Sequence, residues 1–215
     1  MIKRIFIGFF LLVGTWAFVE AQSREFPDYR TKKESFSKLS DKGLRADLGA
    51  FTVGGIEESI GKLPLKKISP FTYTRNLMSF KGDNAEVTVA TGPFVAAGKK
   101  FTNIEDHLVK IDNKPFYGGY GETPMTAIKS VTIILNKKDT IAIPPAAYGD
   151  LYNLNFTYKD KSGTERTANG IYFSADGKRI YIYLLSRDNS GSYEVTWILE
   201  NKKYLRRVLD WGFTP

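Results

Sequence analysis

Gly170-Ile171-Tyr172-Phe173-Ser174-Ala175-Asp176-Gly177-Lys178-Arg179-Ile180-Tyr181-Ile182-Tyr183-Leu184-Leu185-Ser186 is the stretch that decides the fold. Two apolar runs, Gly170 to Ser174 and Arg179 to Ser186, flank Ala175-Asp176-Gly177-Lys178. An Asp-Gly between such runs is the strongest short-range signal for a β-hairpin, because the glycine supplies a positive φ without steric cost. Ile180, Ile182 and Leu184 fall on one face and Tyr181 and Tyr183 on the other, which is the period of two that a strand imposes.

The same grammar continues toward the C-terminus. Ser192 to Leu199 and Tyr204 to Trp211 flank Glu200-Asn201-Lys202-Lys203. Val195, Trp197 and Leu199 share one side, opposite Glu194 and Thr196. Leu205, Leu209 and Trp211 share a face of the last strand, and Arg207 falls on it too, so this strand's end, or the sheet's edge, is expected to reach solvent.

Toward the N-terminus, Val131, Ile133 and Leu135 alternate with Thr132 and Ile134, and Asn136-Lys137-Lys138-Asp139 turns the chain into Thr140 to Ile143. Leu154 to Tyr158 reads as a further short strand, ended by Lys159-Asp160-Lys161-Ser162-Gly163. Earlier, Phe71 to Phe80 and Ala85 to Thr91 flank Lys81-Gly82-Asp83-Asn84 as a hairpin, with Val87 and Val89 facing one side and Glu86 and Thr88 the other. Residues 131–211 therefore predict a meander of about six strands with short polar turns. The fold class is all-β: an antiparallel β-sandwich built largely from hairpins over residues 70–215, with a closed up-and-down β-barrel as the alternative.

Residues 22–69 read as an N-terminal arm. Within 22–45 charges dominate, and Tyr29, Phe36 and Leu39 either share one face of a short helix stopped at Gly43 or belong to a flexible arm. Gly54-Gly55 followed by Ile56, Ile60 and Leu63 predicts a helical turn or two before Pro64. Ahead of the arm, Lys3 and Arg4 precede an apolar run from Ile5 to Val19, and Val19-Glu20-Ala21 supplies small residues at the −3 and −1 positions of a cleavage site. Residues 1–21 are thus read as a signal peptide, the run being short for a spanning helix. Export to a periplasm or outside the cell follows as an expectation, with a soluble product holding no integral membrane segment.

The chain has 215 residues, no cysteine and one histidine, His107. Disulfides, thiol nucleophiles, cysteine metal sites and lipid attachment at an N-terminal cysteine are excluded, and so is a two-histidine metal centre from one chain. A Ser-His-Asp set has only His107, beside Glu105 and Asp106, and no Gly-x-Ser-x-Gly elbow. Oxygen ligands such as Asp106, Asp112, Glu122 and Asp150 exist without an Asp-x-Asp-x-Asp-Gly loop. The reading therefore expects no catalytic residue, no metal and no cofactor.

Net charge is +8. The doublets Lys99-Lys100, Lys137-Lys138 and Lys202-Lys203 have a bland explanation, since lysines at strand ends keep edges soluble. The competing reading is a footprint for an anionic partner, of which export disfavours nucleic acid. Asn155-Phe156-Thr157 matches a short glycosylation sequon.

Two long loops remain. Asp112 to Ala127 holds Phe116, Tyr117, Gly118-Gly119-Tyr120-Gly121 and Glu122, and Pro144 to Asn153 holds Tyr148, Asp150 and Tyr152. Connections this long tend to be functional, and aromatic faces beside carboxylates suit a sugar ring or a protein partner. Phe116, Tyr117, Tyr120, Glu122, Tyr148, Asp150 and Tyr152 are accordingly the candidate ligand-binding residues, against the plainer reading that the loops fold back to cap the core. The expected function is an exported, non-enzymatic module that binds a glycan or an envelope or extracellular protein. The alternatives are a carboxylate-dependent hydrolase of an extracellular polymer, through Glu122, Asp150, Glu105 or Asp106, and an exported inhibitor acting through its basic arm.

Overall fold

The structure is a computed structural model that describes residues 39–49, 65–82, 84–119, 121–187 and 191–211. The expected signal peptide, most of the arm and Tyr120 lie outside the described residues. In chain order the elements begin with helix α1 (Lys42–Leu48), then β1 (Lys66–Ile68), β2 (Pro70–Tyr73), β3 (Leu77–Lys81) and β4 (Ala85–Pro93). There follow β5 (Phe101–Ile104), β6 (His107–Ile111), β7 (Thr126–Leu135) and β8 (Asp139–Ile141), a short 3-10 helix (Pro145–Ala147), then β9 (Tyr158–Lys159) and β10 (Glu165–Arg166). The last four strands are β11 (Gly170–Phe173), β12 (Arg179–Ser186), β13 (Tyr193–Glu200) and β14 (Lys203–Trp211).

Antiparallel pairing gives two five-stranded sheets, β1-β11-β12-β13-β14 and β2-β3-β4-β7-β8, with β5-β6 and β9-β10 as separate hairpins. The alternation seen in the sequence places Met78, Phe80, Val87, Val89, Ile133 and Leu135 of one sheet against Ile182, Leu184, Val195, Trp197 and Leu209 of the other in one buried cluster. That is the sandwich core.

The first sheet is buried on its other face as well. Tyr172, Tyr181, Tyr183, Leu185, Ile198 and Val208 pack beneath Leu39, Leu44 and Leu48. Leu44 and Leu48, one turn apart, form the apolar side of α1. Asp41 caps the helix by accepting from the Leu44 N–H at 2.9 Å, and Arg179 and the Tyr181 hydroxyl reach Asp41 and Asp47 at 2.6 Å each. α1 starts beside Gly43, with Asp41 as its N-cap and Gly49 closing it, while the expected helix carrying Tyr29, Phe36 and Leu39 falls mostly outside the described residues. Among the described residues no helix is long and apolar enough to cross a membrane.

Four details refine the sequence reading. The run from Phe71 to Phe80 is two strands, because Thr74 makes a turn in which its hydroxyl accepts from the N–H groups of Asn76 and Leu77. Leu154 to Thr157 carries no strand; Leu154 and Phe156 are core residues, and the Phe156 carbonyl accepts from the buried Asn169 side chain at 3.0 Å instead of from a ladder. The Asp-Gly hairpin forms with positive φ at Gly177 alone (69°), the Gly177 N–H donating to Ser174 O at 2.9 Å.

The fourth lies in β14. Leu199 pairs with Tyr204 but Ile198 with Arg206, so Leu205 is a bulge residue turned to solvent. The downstream Arg207 and Leu209 face the core opposite Trp197 and Val195. β14 is an edge strand and reaches solvent at Leu205 and Trp211, as expected, but Arg207 itself is turned inward and only 2% exposed.

Candidate functional site

Both long loops come together at one end of the sandwich. The Tyr117 N–H donates to Asp150 O at 2.9 Å and the Tyr152 N–H to Tyr117 O at 2.8 Å, an isolated bridge joining the two segments. The Asn153 side-chain oxygen accepts from the N–H groups of Met125 and Thr126 at 2.8 and 3.1 Å. Gly118 has φ 90°, and a Cβ there would lie 1.8 Å from Tyr152 O, so the two backbones meet only because this residue has no side chain.

Polar groups of the first sheet bind this cap from below. Arg207 makes a bidentate pair with Asp150, at 2.6 and 2.7 Å, and donates to Ala147 O at 3.2 Å. The Trp197 indole N–H also donates to Ala147 O, at 3.1 Å, and the Tyr193 hydroxyl donates to Tyr152 O at 3.0 Å. Asp150 is buried, and Arg207 is left with only its Nε unsatisfied. Burial works against the Arg207 charge, but the Asp150 carboxylate outweighs it and holds the guanidinium pKa above its ordinary value. Burial, with the Asp150 charge nearby, pushes the Tyr193 hydroxyl well up.

The candidate residues divide accordingly. The Tyr117 ring is buried against Trp211 and Tyr193, with centroids 5.2 and 6.4 Å away. Tyr152 is buried between Phe94 at 5.2 Å and Phe116 at 6.0 Å, and burial raises its pKa while Lys99 lowers it. Tyr148 is half-buried over Trp197 and Phe116 is half-buried, whereas Glu122 is exposed. Asp150 is bound by Arg207.

The other carboxylates do not converge on it. Glu105 and Asp106 sit exposed in the β5–β6 turn, next to His107, whose ring packs over Gly121. Among the described residues no group of three or more His, Asp or Glu side chains could hold a metal ion.

The most accessible apolar side chains at this end belong to residues the sequence reading passed over. Val95 is 66%, Phe101 40% and Met125 68% exposed. They gather around half-buried Phe94, whose ring lies 6.3 Å from that of Phe101 and whose N–H donates to Met125 O at 2.8 Å. Ile104, also exposed, sits at the tip of the same β5–β6 hairpin. The available signal was the apolar pair Phe94-Val95 just before a hairpin whose core-facing members are only Leu108 and Ile111. No family model, no curated protein and no solved structure matches this chain.

Proposed function

We propose that this chain is an exported, non-enzymatic β-sandwich module that binds a protein partner at its loop end. The reading rests on one observation: Val95, Phe101 and Met125 stand exposed around Phe94, beside a cap tied to the sandwich by buried polar contacts. Exposed apolar clusters rimmed by polar groups mark interaction sites. Here the rim is charge-balanced, with Lys99, Lys100, Lys110 and Lys114 against Glu105, Asp106, Asp112 and Glu122. A mixed rim around an apolar centre is the anatomy of a protein interface.

A glycan is the second reading, favoured by the half-exposed faces of Phe116 and Tyr148. It has less support because Tyr117 and Tyr152 stack inside the protein. Hydrolysis by paired carboxylates has less still, since Asp150 is taken up by Arg207 and Glu105, Asp106 and Glu122 are solvated.

The test is capture from an envelope fraction, followed by reconstitution with the purified partner. Phe101→Ser with Met125→Ser should weaken binding at least tenfold, as loss of interface anchors does. Undiminished affinity, or retention on a glycan panel that Tyr148→Ala abolishes, would reject the protein reading.

A further inference from the structure

The opposite end of the sandwich carries a second surface that the proposed function does not use. Four hairpin turns converge there: Lys81 to Asn84, Asn136 to Asp139, Ala175 to Lys178, and Asn201 to Lys203. Within the second sheet the Asn136 N–H donates to Asn84 O at 3.0 Å, and within the first the Asn201 N–H donates to Lys178 O at 3.1 Å. Between the sheets, Lys202 Nζ reaches Asp139 at 2.8 Å. Each sheet contributes two turns that lie two strand spacings apart, so the four mark a square roughly 10 Å on a side.

Every corner carries lysine. Lys81, Lys178 and Lys202 face Glu86, Asp176 and Asp139, at 3.9, 3.6 and 2.8 Å, yet their side chains remain 63%, 67% and 55% exposed. Lys137, Lys138 and Lys203 are exposed and have no carboxylate within ion-pair distance among the described residues. Glu200, Asp41 and Asp47, further carboxylates here, are held by Arg179, at 2.8, 2.6 and 3.8 Å. Asp83 lies outside the described residues.

The choice of residue in two of these turns runs against turn chemistry. Asn136 and Lys137 have φ 51° and 60°, and Asn201 and Lys202 have φ 50° and 62°. With both central residues at positive φ, the second position favours glycine. Both turns read Asn-Lys-Lys instead, so a strained backbone carries a lysine at matching places in neighbouring hairpins.

We propose that this lysine-bearing end is a docking surface for an anionic lipid bilayer. A linear polyanion engages a line of charges, whereas a square array of turns presents its lysines in two dimensions, as headgroups are presented by a membrane. Juxtamembrane lysines act additively over a Debye length, which suits several short turns at one level.

The test is partition of the full chain onto vesicles of phosphatidylcholine alone and of phosphatidylcholine with phosphatidylglycerol. The readout is the ratio of the two partition coefficients, in which the uncharged apolar run Ile5 to Val19 cancels. Lys137→Gly with Lys202→Gly removes two charges and also relieves the positive-φ lysines, so the fold is retained and the melting temperature confirms it. The ratio should fall about 25-fold, at about fivefold per lysine. Lys100→Gln with Lys114→Gln, the same charge change at the opposite end, should leave it unchanged, as should Phe101→Ser with Met125→Ser.

A wild-type ratio near one overturns the proposal. So does an equal loss in the Lys100/Lys114 variant, or binding to heparin without binding to anionic vesicles.

Discussion

The two ends of this sandwich solve the same problem, returning the chain to the sheets, in opposite ways. At the lysine end the returns are short hairpin turns, each joined to its neighbour in the sheet by one backbone bond, and their lysines stand in water. At the aromatic end the returns are long, and the chain closes them from within: Arg207, Trp197 and Tyr193 reach out of the first sheet to Asp150, Ala147 and Tyr152. Stability at the first end draws mainly on local φ and exposed pairs. At the second it depends on contacts dozens of residues apart, so damage there should be far more costly.

Breaking the buried pair is the strongest challenge to that contrast. Asp150→Ala leaves a buried guanidinium uncompensated and should cost about 3–5 kcal/mol in urea denaturation. Replacing Asp150 and Arg207 together by leucine should cost much less. At the other end, Lys202→Gln breaks the exposed pair with Asp139 and should leave the unfolding midpoint within scatter of the wild type.

Glycine replacement sharpens the comparison at intermediate scale. Gly118→Ala meets both positive φ and the Tyr152 carbonyl, and should lose about 3 kcal/mol or more. Gly177→Ala, in a hairpin turn at φ 69° with nothing within 4 Å of the added carbon, should lose only the strain, about 1 kcal/mol.

Smaller still, and of opposite sign, Lys137→Gly should raise stability by about 0.5 kcal/mol, because relief of the positive-φ penalty exceeds the added chain entropy.

The smallest effect concerns α1, which docks near the lysine end. The Leu44 N–H, with help from the Arg179 charge, holds the Asp41 pKa below its ordinary value. A depressed folded pKa means that the cap's contribution is fully present above the unfolded value of about 3.9 and is lost as pH falls through the lower folded one. The protection factor of the Leu44 amide should therefore fall selectively in acid, and a pH-independent protection factor would contradict the capping role.

Legibility in the sequence follows the same division. The hairpins were readable because a turn and its two strands lie within a single window: Asp176-Gly177 and Asn201-Lys202 announce themselves through residue type and flanking alternation. The cap was not. Nothing near Arg207 in the chain says that its partner is Asp150, 57 residues away, or that a one-residue bulge takes Leu205 off the face that Arg207 and Leu209 keep.

The site was half legible for a related reason. The loops containing Tyr117, Tyr148 and Tyr152 were picked out by length and composition, and they do meet. Whether a tyrosine points outward or packs against Trp211, Trp197 or Phe94 is set by distant strands. The exposed cluster at Val95, Phe101 and Met125 is not legible because single apolar residues in connections and in a short hairpin look, in sequence, like core.

The closed cap is tested most directly by amide hydrogen exchange at Tyr117 and Tyr152, whose N–H groups donate to Asp150 O and Tyr117 O. If the loops are a rigid part of the sandwich, these two amides exchange as slowly as those of β12 and β13, through global unfolding only. Exchange at the rate of an open loop would contradict the closed cap and return Tyr117, Tyr148 and Tyr152 to the solvent-facing role that their loop positions first suggested.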